Sequence, residues 1–462
     1  MSESIDRGLK VLALTAIFLI AMTGVYAARG LYSDGSFWLV EMLPRGGFYI
    51  FDPHRAYVQV LVQAPVAFAI WLGSLDLNLL IRLHSFGFVG VPIIFWLGAL
   101  MLQFRTKLFW FFLMAFTVSY LRSNFFAAGE FSTAYGLTAF CVAVLLKEKV
   151  SLLNAVLMFF SAIALTHSYE ATIFLGVFLA AIAVVRLVKV PDDRLAVRIV
   201  LYALIAIFLL SIYVGARSTF FQRSYDGKGA ANLSALTEIH LLYLMVMPFL
   251  VALLCTNFGQ RIKKLLMAVF LSFSGLYLLY AFRWDHTNIS FGYFSYAYRA
   301  LCCFLLIGVL TLAAFLRFWP NVFNAKSLPS SASSYLAVGA MVFFMPMAWL
   351  MLYHTHGYYK WAQRFEQEAV ALKFHTPIDK TSINTNHGWT HGYNWMWGNP
   401  STSILLRGNA EAMVLNNSQH KGPEPGSYEN VKGGDVPLPM DRPILDAYPL
   451  KPFEKKGSLF RK

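Results

Sequence analysis

The stretch from Arg29 to Gly87, RGLYSDGSFWLVEMLPRGGFYIFDPHRAYVQVLVQAPVAFAIWLGSLDLNLLIRLHSFG, decides how the rest of the chain is organised. It follows the apolar segment Val11 to Ala28, which can cross a bilayer core because a spanning helix needs about 20 apolar residues. The stretch mixes acids, bases and aromatics, as expected at a membrane surface, where aromatics sit at headgroup level. Asp34, where the chain leaves the membrane, is the leading candidate for a functional residue.

The composition indicates a protein that crosses a membrane several times. Of 462 residues, 58% are hydrophobic and 13% are charged, against about 25% charged in soluble proteins. The first apolar segment is long and has no Ala-x-Ala site, so we expect a retained span rather than a signal peptide. The net charge of +14 is typical of the positive-inside bias, a phosphorylated substrate being the alternative, and a nucleic-acid partner is discarded. The cysteines indicate neither disulfides nor a zinc site.

Hydropathy predicts an all-α polytopic membrane protein with about 11 transmembrane helices. No internal repeat of fixed period is visible, which disfavours an inverted-repeat transporter. The predicted spans are 10–28, 79–102, 108–121, 134–146, 152–166, 171–188, 196–215, 239–255, 265–282, 300–318 and 336–353.

The segment Val58 to Leu75 is apolar enough to be a further span, and the distribution of charge decides against it. If it returns to its starting side, the basic loops after residues 102, 146 and 188 fall on the side of the N-terminus. If it crosses, they fall opposite Arg7 and Lys10, against the positive-inside bias. We therefore expect the N-terminus inside, the C-terminus outside, and interfacial helices in the first outer loop, residues 29–78.

After His354 the composition changes. We expect residues 1–355 to form the transmembrane domain and residues 356–462 a small outer-face domain. Residues 358–373 have helical periodicity, whereas the tail from Asn416 is rich in Pro, Gly, Lys and Asp and is expected to be extended. Three tryptophans of this region either stack on sugar rings or form the core of the domain: Trp389, Trp395 and Trp397.

The motifs between Val11 and Leu146 come in a distinctive order. A span is followed by Tyr-x-Asp at 32–34, a Met-Leu-x-x-Gly turn at 42–46, the Pro-led run 53–73 and Asn-Leu-x-x-Arg-Leu at 78–83. This order resembles the first outer loop of the GT-C superfamily of integral-membrane glycosyltransferases, which use polyprenyl-phosphate sugars. The resemblance implies a GT-C-like fold and transfer of a sugar to a glycan, lipid or protein acceptor. Beyond residue 146 it covers topology alone.

The resemblance also implies roles for individual residues. Asp34 would be the catalytic base, taking the proton of the acceptor hydroxyl as the sugar leaves its phosphate with inversion. The alternative is that Asp34 caps the helix Ser36 to Leu43. Contacts to the acceptor or a metal are expected at His54, Glu130 and Glu170, and a divalent cation is left open as a cofactor. Donor phosphate is expected to meet Arg122, His167, Arg217, Arg223 and Arg299, because arginine binds phosphate through paired hydrogen bonds.

Several of these candidates have a structural alternative. Arg122 and Glu130 equally suit an interfacial anchor pair, and His167 with Glu170 a solvated turn between two spans. The outer arginines alternatively pair with acids of the same loops: Asp226, Glu238 and Asp285.

Two other classes of function stay open. A lipid-linked-glycan flippase or transporter would need paired charges deep within its spans, and the predicted spans are nearly free of charge. A non-catalytic assembly subunit on a degenerate GT-C scaffold is supported by Asp34-Gly35, which stands where that superfamily usually has Asp-Glu. The compact loops favour a bacterial inner membrane, and the identity of the sugar and acceptor is open.

Overall fold

The structure is a computed structural model that describes residues 3–32, 35–50, 53–121, 130–169, 172–190, 195–221, 265, 268–269, 271–272, 275–276, 296–319, 330–373, 376–377, 393, 398–408, 414–415 and 453–460. These residues are mainly helical, as predicted. One short parallel pair, β1 (Thr376–Pro377) with β2 (Val414–Leu415), is the exception in this part of the chain. The helices are α1 (Glu3–Tyr26), α2 (Gly35–Arg45), α3 (Ala56–Trp71), α4 (Leu77–Ser85), α5 (Val91–Leu102), α6 (Leu108–Phe116), α7 (Glu130–Leu145), α8 (Leu152–Thr166), α9 (Thr172–Lys189), α10 (Leu195–Phe221), α11 (Tyr296–Phe318), α12 (Ser330–Ala371) and α13 (Asn399–Arg407).

Local sequence explains where several helices begin or change pitch. The Asp76 carboxylate accepts the amide of Asn78 at 3.0 Å and so caps α4, and the Ser151 hydroxyl caps α8 in the same way. A π-helical turn, Phe86–Gly90, joins α4 to α5. The two helices therefore form one continuous apolar segment, Leu77–Leu102.

Five helical segments in the described part of the chain are long and apolar enough to cross a membrane: Glu3–Tyr26, Leu77–Leu102, Thr172–Lys189, Leu195–Arg217 and Ser334–Ala371. Four shorter apolar helices, Leu108–Leu121, Glu130–Leu145, Leu152–Thr166 and Cys302–Phe318, coincide with further predicted spans. Of the remaining predictions, 239–255 lies outside the described residues and 265–282 is described at a few positions only. An all-helical protein with several membrane-length helices is thus confirmed, and the total of about 11 stays a prediction.

Basic side chains join the helices at one end of the bundle, which we call the basic end. Lys10 Nζ lies 2.7 Å from the Asp6 carboxylate and 2.9 Å from the carbonyl of Phe104. Arg186 donates to the carbonyls of Leu145 at 2.7 Å and Lys147 at 2.6 Å, and so closes the C-terminus of α7. Two of the carbonyl partners, those of Phe104 and Lys147, lie in loops whose charge decided the predicted topology.

The opposite end, which we call the loop end, carries both ends of α3. At its start the amide of Tyr57 donates to the carbonyl of His167, between α8 and α9, at 3.1 Å. At its finish Trp71 Nε1 donates to the carbonyl of Gly46 at 3.1 Å, and the chain then enters α4. Because the α4–α5 segment runs from here to the basic end, these contacts agree with the prediction that residues 58–75 return to their starting side.

Helix α12 runs without interruption through residue 355, where the two predicted domains were divided. Its 42 residues span about 63 Å at 1.5 Å per residue, about twice the thickness of a bilayer core. The helical prediction for residues 358–373 agrees with this element. Helix α12 therefore links the apolar bundle directly to the C-terminal region.

The chain segment 453–460, which we call the C-terminal clasp, packs on the loop end. The amide of Leu77 donates to the carbonyl of Glu454 at 2.9 Å, and Arg82 donates to the carbonyl of Leu459 at 2.8 Å. On α12, Glu366 accepts from Lys455 at 2.6 Å and from the amide of Leu459 at 2.8 Å. The clasp therefore joins the start of α4 to the far end of α12 and belongs to the tail that was expected to be extended.

Candidate functional site

Asp34 lies outside the described residues, but the chain is described up to Tyr32 and again from Gly35. Helix α1 ends in a left-handed turn at Ala28, with φ 55°, and a short 3₁₀ turn Arg29–Leu31 follows. The amide of Gly30 donates to Ser85 Oγ at 3.1 Å, and the carbonyl of Gly35 accepts from His84 Nε2 at 2.7 Å. Both ends of the segment that contains Asp34 are therefore anchored to α4.

Two glycines allow this close approach. A Cβ atom at Gly35 would lie 1.9 Å from the carbonyl oxygen of Gly30, and one at Gly30 would lie 2.6 Å from the Cα of Ser85. Both distances are far inside van der Waals contact, so a larger residue would push the backbone apart. The close packing of main-chain atoms therefore requires glycine at both positions. This requirement explains why Gly35 follows Asp34.

Arg29 places a buried guanidinium next to this segment. Its residue surface is 6% exposed, and Nη1 lies 3.5 Å from the sulfur of Met351 on α12. Burial lowers the pKa of Arg29 to about 10, and nearby tyrosines, Tyr120 foremost, oppose that shift. Burial also raises the pKa of Tyr32, whose ring packs edge-on against Tyr358 with centroids 5.6 Å apart. At neutral pH Arg29 is therefore charged and Tyr32 is not.

Glu130 begins α7 and is 5% exposed. Its Oε2 lies 2.8 Å from Arg55 Nη1, and its Oε1 accepts from Gln59 Nε2 at 2.8 Å. The Arg55 guanidinium also lies over the ring of Tyr169, 5.2 Å from the centroid. Glu130 thus joins α3 to α7 and is surrounded by polar and aromatic groups at the loop end. Neither partner of Glu130 was proposed from the sequence.

His167 lies at the same place, next to the turn that contains His54. His167 Nδ1 lies 3.3 Å from the carbonyl of Pro53, the residue before His54, and its ring is 4.8 Å from that of Tyr57. Three predicted site residues, His54, Glu130 and His167, are thus brought to one region of the loop end. Within the described residues, however, no group of three His, Cys, Asp or Glu side chains is arranged to hold a metal ion.

The other predicted residues are described in part or not at all. Arg217 is exposed near the end of α10, a helix that contacts the turn Pro53–Arg55, and is therefore at the loop end. Arg299 lies in the first turns of α11, where the backbone alone is described. The predicted residues Arg122, Glu170 and Arg223 lie outside the described residues, as do Trp389, Trp395 and Trp397.

Sequence reasoning missed the residues that anchor the Asp34 segment. His84 and Ser85 lie within the stretch that organises the chain, but they fall inside an apolar helix and carried no motif of their own. Two polar residues in succession within a predicted span indicate a site of hydrogen bonding, since polar groups buried in a span need partners.

We compared the chain with protein-family models, curated proteins and solved structures, and it matches none of them. The resemblance to GT-C glycosyltransferases therefore rests on the sequence motifs between residues 11 and 146.

Proposed function

We propose that this protein is an inverting membrane glycosyltransferase that moves a sugar from a polyprenyl-phosphate donor to an acceptor, with Asp34 as general base. We place it in a bacterial inner membrane with the N-terminus in the cytoplasm and the loop end in the periplasm. The observation that carries the proposal is the anchoring of Gly30 and Gly35 to α4. A base needs a fixed position relative to the acceptor hydroxyl, and anchors at Gly30 and Gly35, before and after Asp34 in the chain, support such a position.

The reaction is a direct displacement. The acceptor oxygen forms a bond to the anomeric carbon and passes its proton to the Asp34 carboxylate. The bond between the anomeric carbon and the phosphate oxygen breaks, and its electron pair leaves with the polyprenyl phosphate. Cations at the loop end stabilise the negative charge on the departing phosphate. Arg217 is a candidate for this role, because its side chain is exposed at the loop end.

Glu130 supports this reaction indirectly in the proposal. Its carboxylate accepts from Arg55 and Gln59, so it fixes the turn Pro53–Arg55 and the start of α3 against α7. That arrangement favours a single base at Asp34 over a pair of carboxylates sharing the proton.

The decisive experiment compares two acid-to-amide changes in the same loop. Asp34→Asn should lower transfer of labelled sugar by about 10²- to 10⁴-fold, the usual loss for a general base. Asp76→Asn is the matched control: asparagine also caps helices well, so α4 and the activity should be retained. Melting temperatures are measured for both.

Full activity in a folded Asp34→Asn protein would refute the role of Asp34 as general base. A folded wild-type protein that is inactive with every polyprenyl donor would favour the non-catalytic scaffold, which the Asp34-Gly35 pair also supports.

A further inference from the structure

Two consecutive side chains of α4 hold the main chain on either side of Asp34. Ser85 Oγ accepts from the amide of Gly30 at 3.1 Å and donates to the carbonyl of Ile81 at 2.9 Å. His84 Nε2 lies 2.7 Å from the carbonyl oxygen of Gly35. Because a carbonyl can only accept, Nε2 must carry the proton, and Nδ1 of the neutral ring is then the acceptor atom.

That acceptor atom has no hydrogen-bond partner among the residues that the structure describes. His84 is fully buried, and its Nδ1 is one of the buried side-chain atoms without a hydrogen bond in the described part of the chain. Its ring packs against Phe88 with centroids 4.6 Å apart. Leaving a buried acceptor unsatisfied costs stability, and a phenylalanine would fill the same place without that cost. The feature that phenylalanine lacks is the hydrogen bond to Gly35.

We infer that His84 is a positioning residue for the reaction: it holds the carbonyl of Gly35, the residue that follows the proposed base in the chain. The inference rests on the proposed function. His84 does not contact the substrate in this scheme, since its donor atom is used by the main chain of the residue after the base. Ser85 completes the arrangement on the other side by holding Gly30. A shift of the base by about 1 Å can cost about 100-fold in rate, so loss of this hydrogen bond should be visible in kcat.

The test compares His84→Phe with His84→Gln. Phenylalanine keeps the ring volume and removes the donor, so kcat should fall about 10- to 100-fold while KM for the donor stays within about twofold. Glutamine places an amide donor at a similar reach and should restore much of kcat. His356→Gln, at an exposed position on α12, is the control and should match the wild type.

Hydrogen exchange of the peptide covering residues 30–40 provides a readout that needs no activity. His84→Phe should exchange faster than the wild type at equal melting temperature, and His84→Gln should be intermediate. If His84→Phe does not fold, Ser85→Ala takes its place with the same readouts.

Unchanged kcat, or unchanged exchange, in the folded variant would overturn the inference. If the wild type transfers no sugar, the proposed function fails and the catalytic role of His84 fails with it. The exchange experiment would still show whether His84 anchors the loop.

Discussion

Arg55 and Glu130, 75 residues apart in the chain, meet in an ion pair of 2.8 Å that is largely shielded from water. Removing one partner of such a pair leaves the other charge buried, which costs about 3 to 5 kcal/mol. Arg55→Met should therefore destabilise the protein by about that amount. The double variant Arg55→Met/Glu130→Gln should recover most of the loss, because the remaining amide is neutral and still accepts from Gln59.

Thermal unfolding in detergent measures this coupling. Additive effects of the two changes would show that the pair is not coupled and would return Glu130 to the status of an independent site residue.

Gly35→Ala tests the close approach beside Asp34. The added Cβ would collide with the carbonyl of Gly30, so we expect a loss of about 1 to 3 kcal/mol together with reduced transfer activity. Gly308→Ala is the matched control, because its Cβ would meet nothing within 4 Å and alanine is the better helix former. Equal stability of the two variants would contradict the contact between Gly30 and Gly35.

Arg217 and Arg198 lie near opposite ends of α10 and form a natural comparison. If phosphate binds at the loop end, Arg217→Ala should weaken donor binding about tenfold, in line with the loss of one charged hydrogen bond. Arg217→Lys should recover part of the affinity, because a point charge cannot make the bidentate contact. Arg198→Ala should have no effect on donor affinity, and a similar loss in both variants would indicate a general effect of charge.

The return of residues 58–75 is tested by labelling single cysteines in a background without native cysteines. Ser74 lies between α3 and α4, and Thr106 is exposed at the basic end. Pro44→Cys, at an exposed position on α2 ahead of α3, and Ser74→Cys should react with membrane-impermeant reagent from the same side of sealed vesicles, and Thr106→Cys from the opposite side. Labelling of Pro44→Cys and Ser74→Cys from different sides would require α3 to cross the membrane.

A stop codon after Pro452 tests the C-terminal clasp. Without it, Glu366, which is 3% exposed, loses the ammonium of Lys455, and we expect a loss of stability of about 3 to 5 kcal/mol. A stop codon after Phe460 removes two residues that follow the clasp and serves as the control. Equal melting temperatures of the two truncated proteins would mean that the clasp contributes nothing to stability.

Hydropathy was enough to predict the apolar helices among the described residues, because a spanning segment is defined by local composition. The distribution of charge assigns residues 58–75 to one side of the membrane despite their apolar character, and this assignment stays a prediction. The division of domains at residue 355 stays a prediction: composition changes there, while α12 continues to Ala371.

The contacts within the candidate site could not be predicted in this way. Arg55 and Glu130 belong to different helices, and no periodic pattern indicates which acid a given arginine will meet. His84 and Ser85 were read as part of an apolar span, since their partners are main-chain atoms about 50 residues earlier in the sequence. The chemistry of the side chains was enough to propose candidate site residues. The partners of those residues depend on the three-dimensional arrangement of the helices.

The C-terminal clasp also has a consequence for how the protein is made. Arg82 donates to the carbonyl of Leu459, which is 377 residues further along the chain. Ribosomes add about 5 to 20 residues per second. The first helices therefore enter the membrane roughly 20 to 75 s before their last partners exist. During that interval the amide of Leu77 and the side chain of Arg82 lack the carbonyls of Glu454 and Leu459 that accept their hydrogen bonds in the folded protein. Formation of the clasp therefore follows the synthesis of α1 and α4 by several hundred residues.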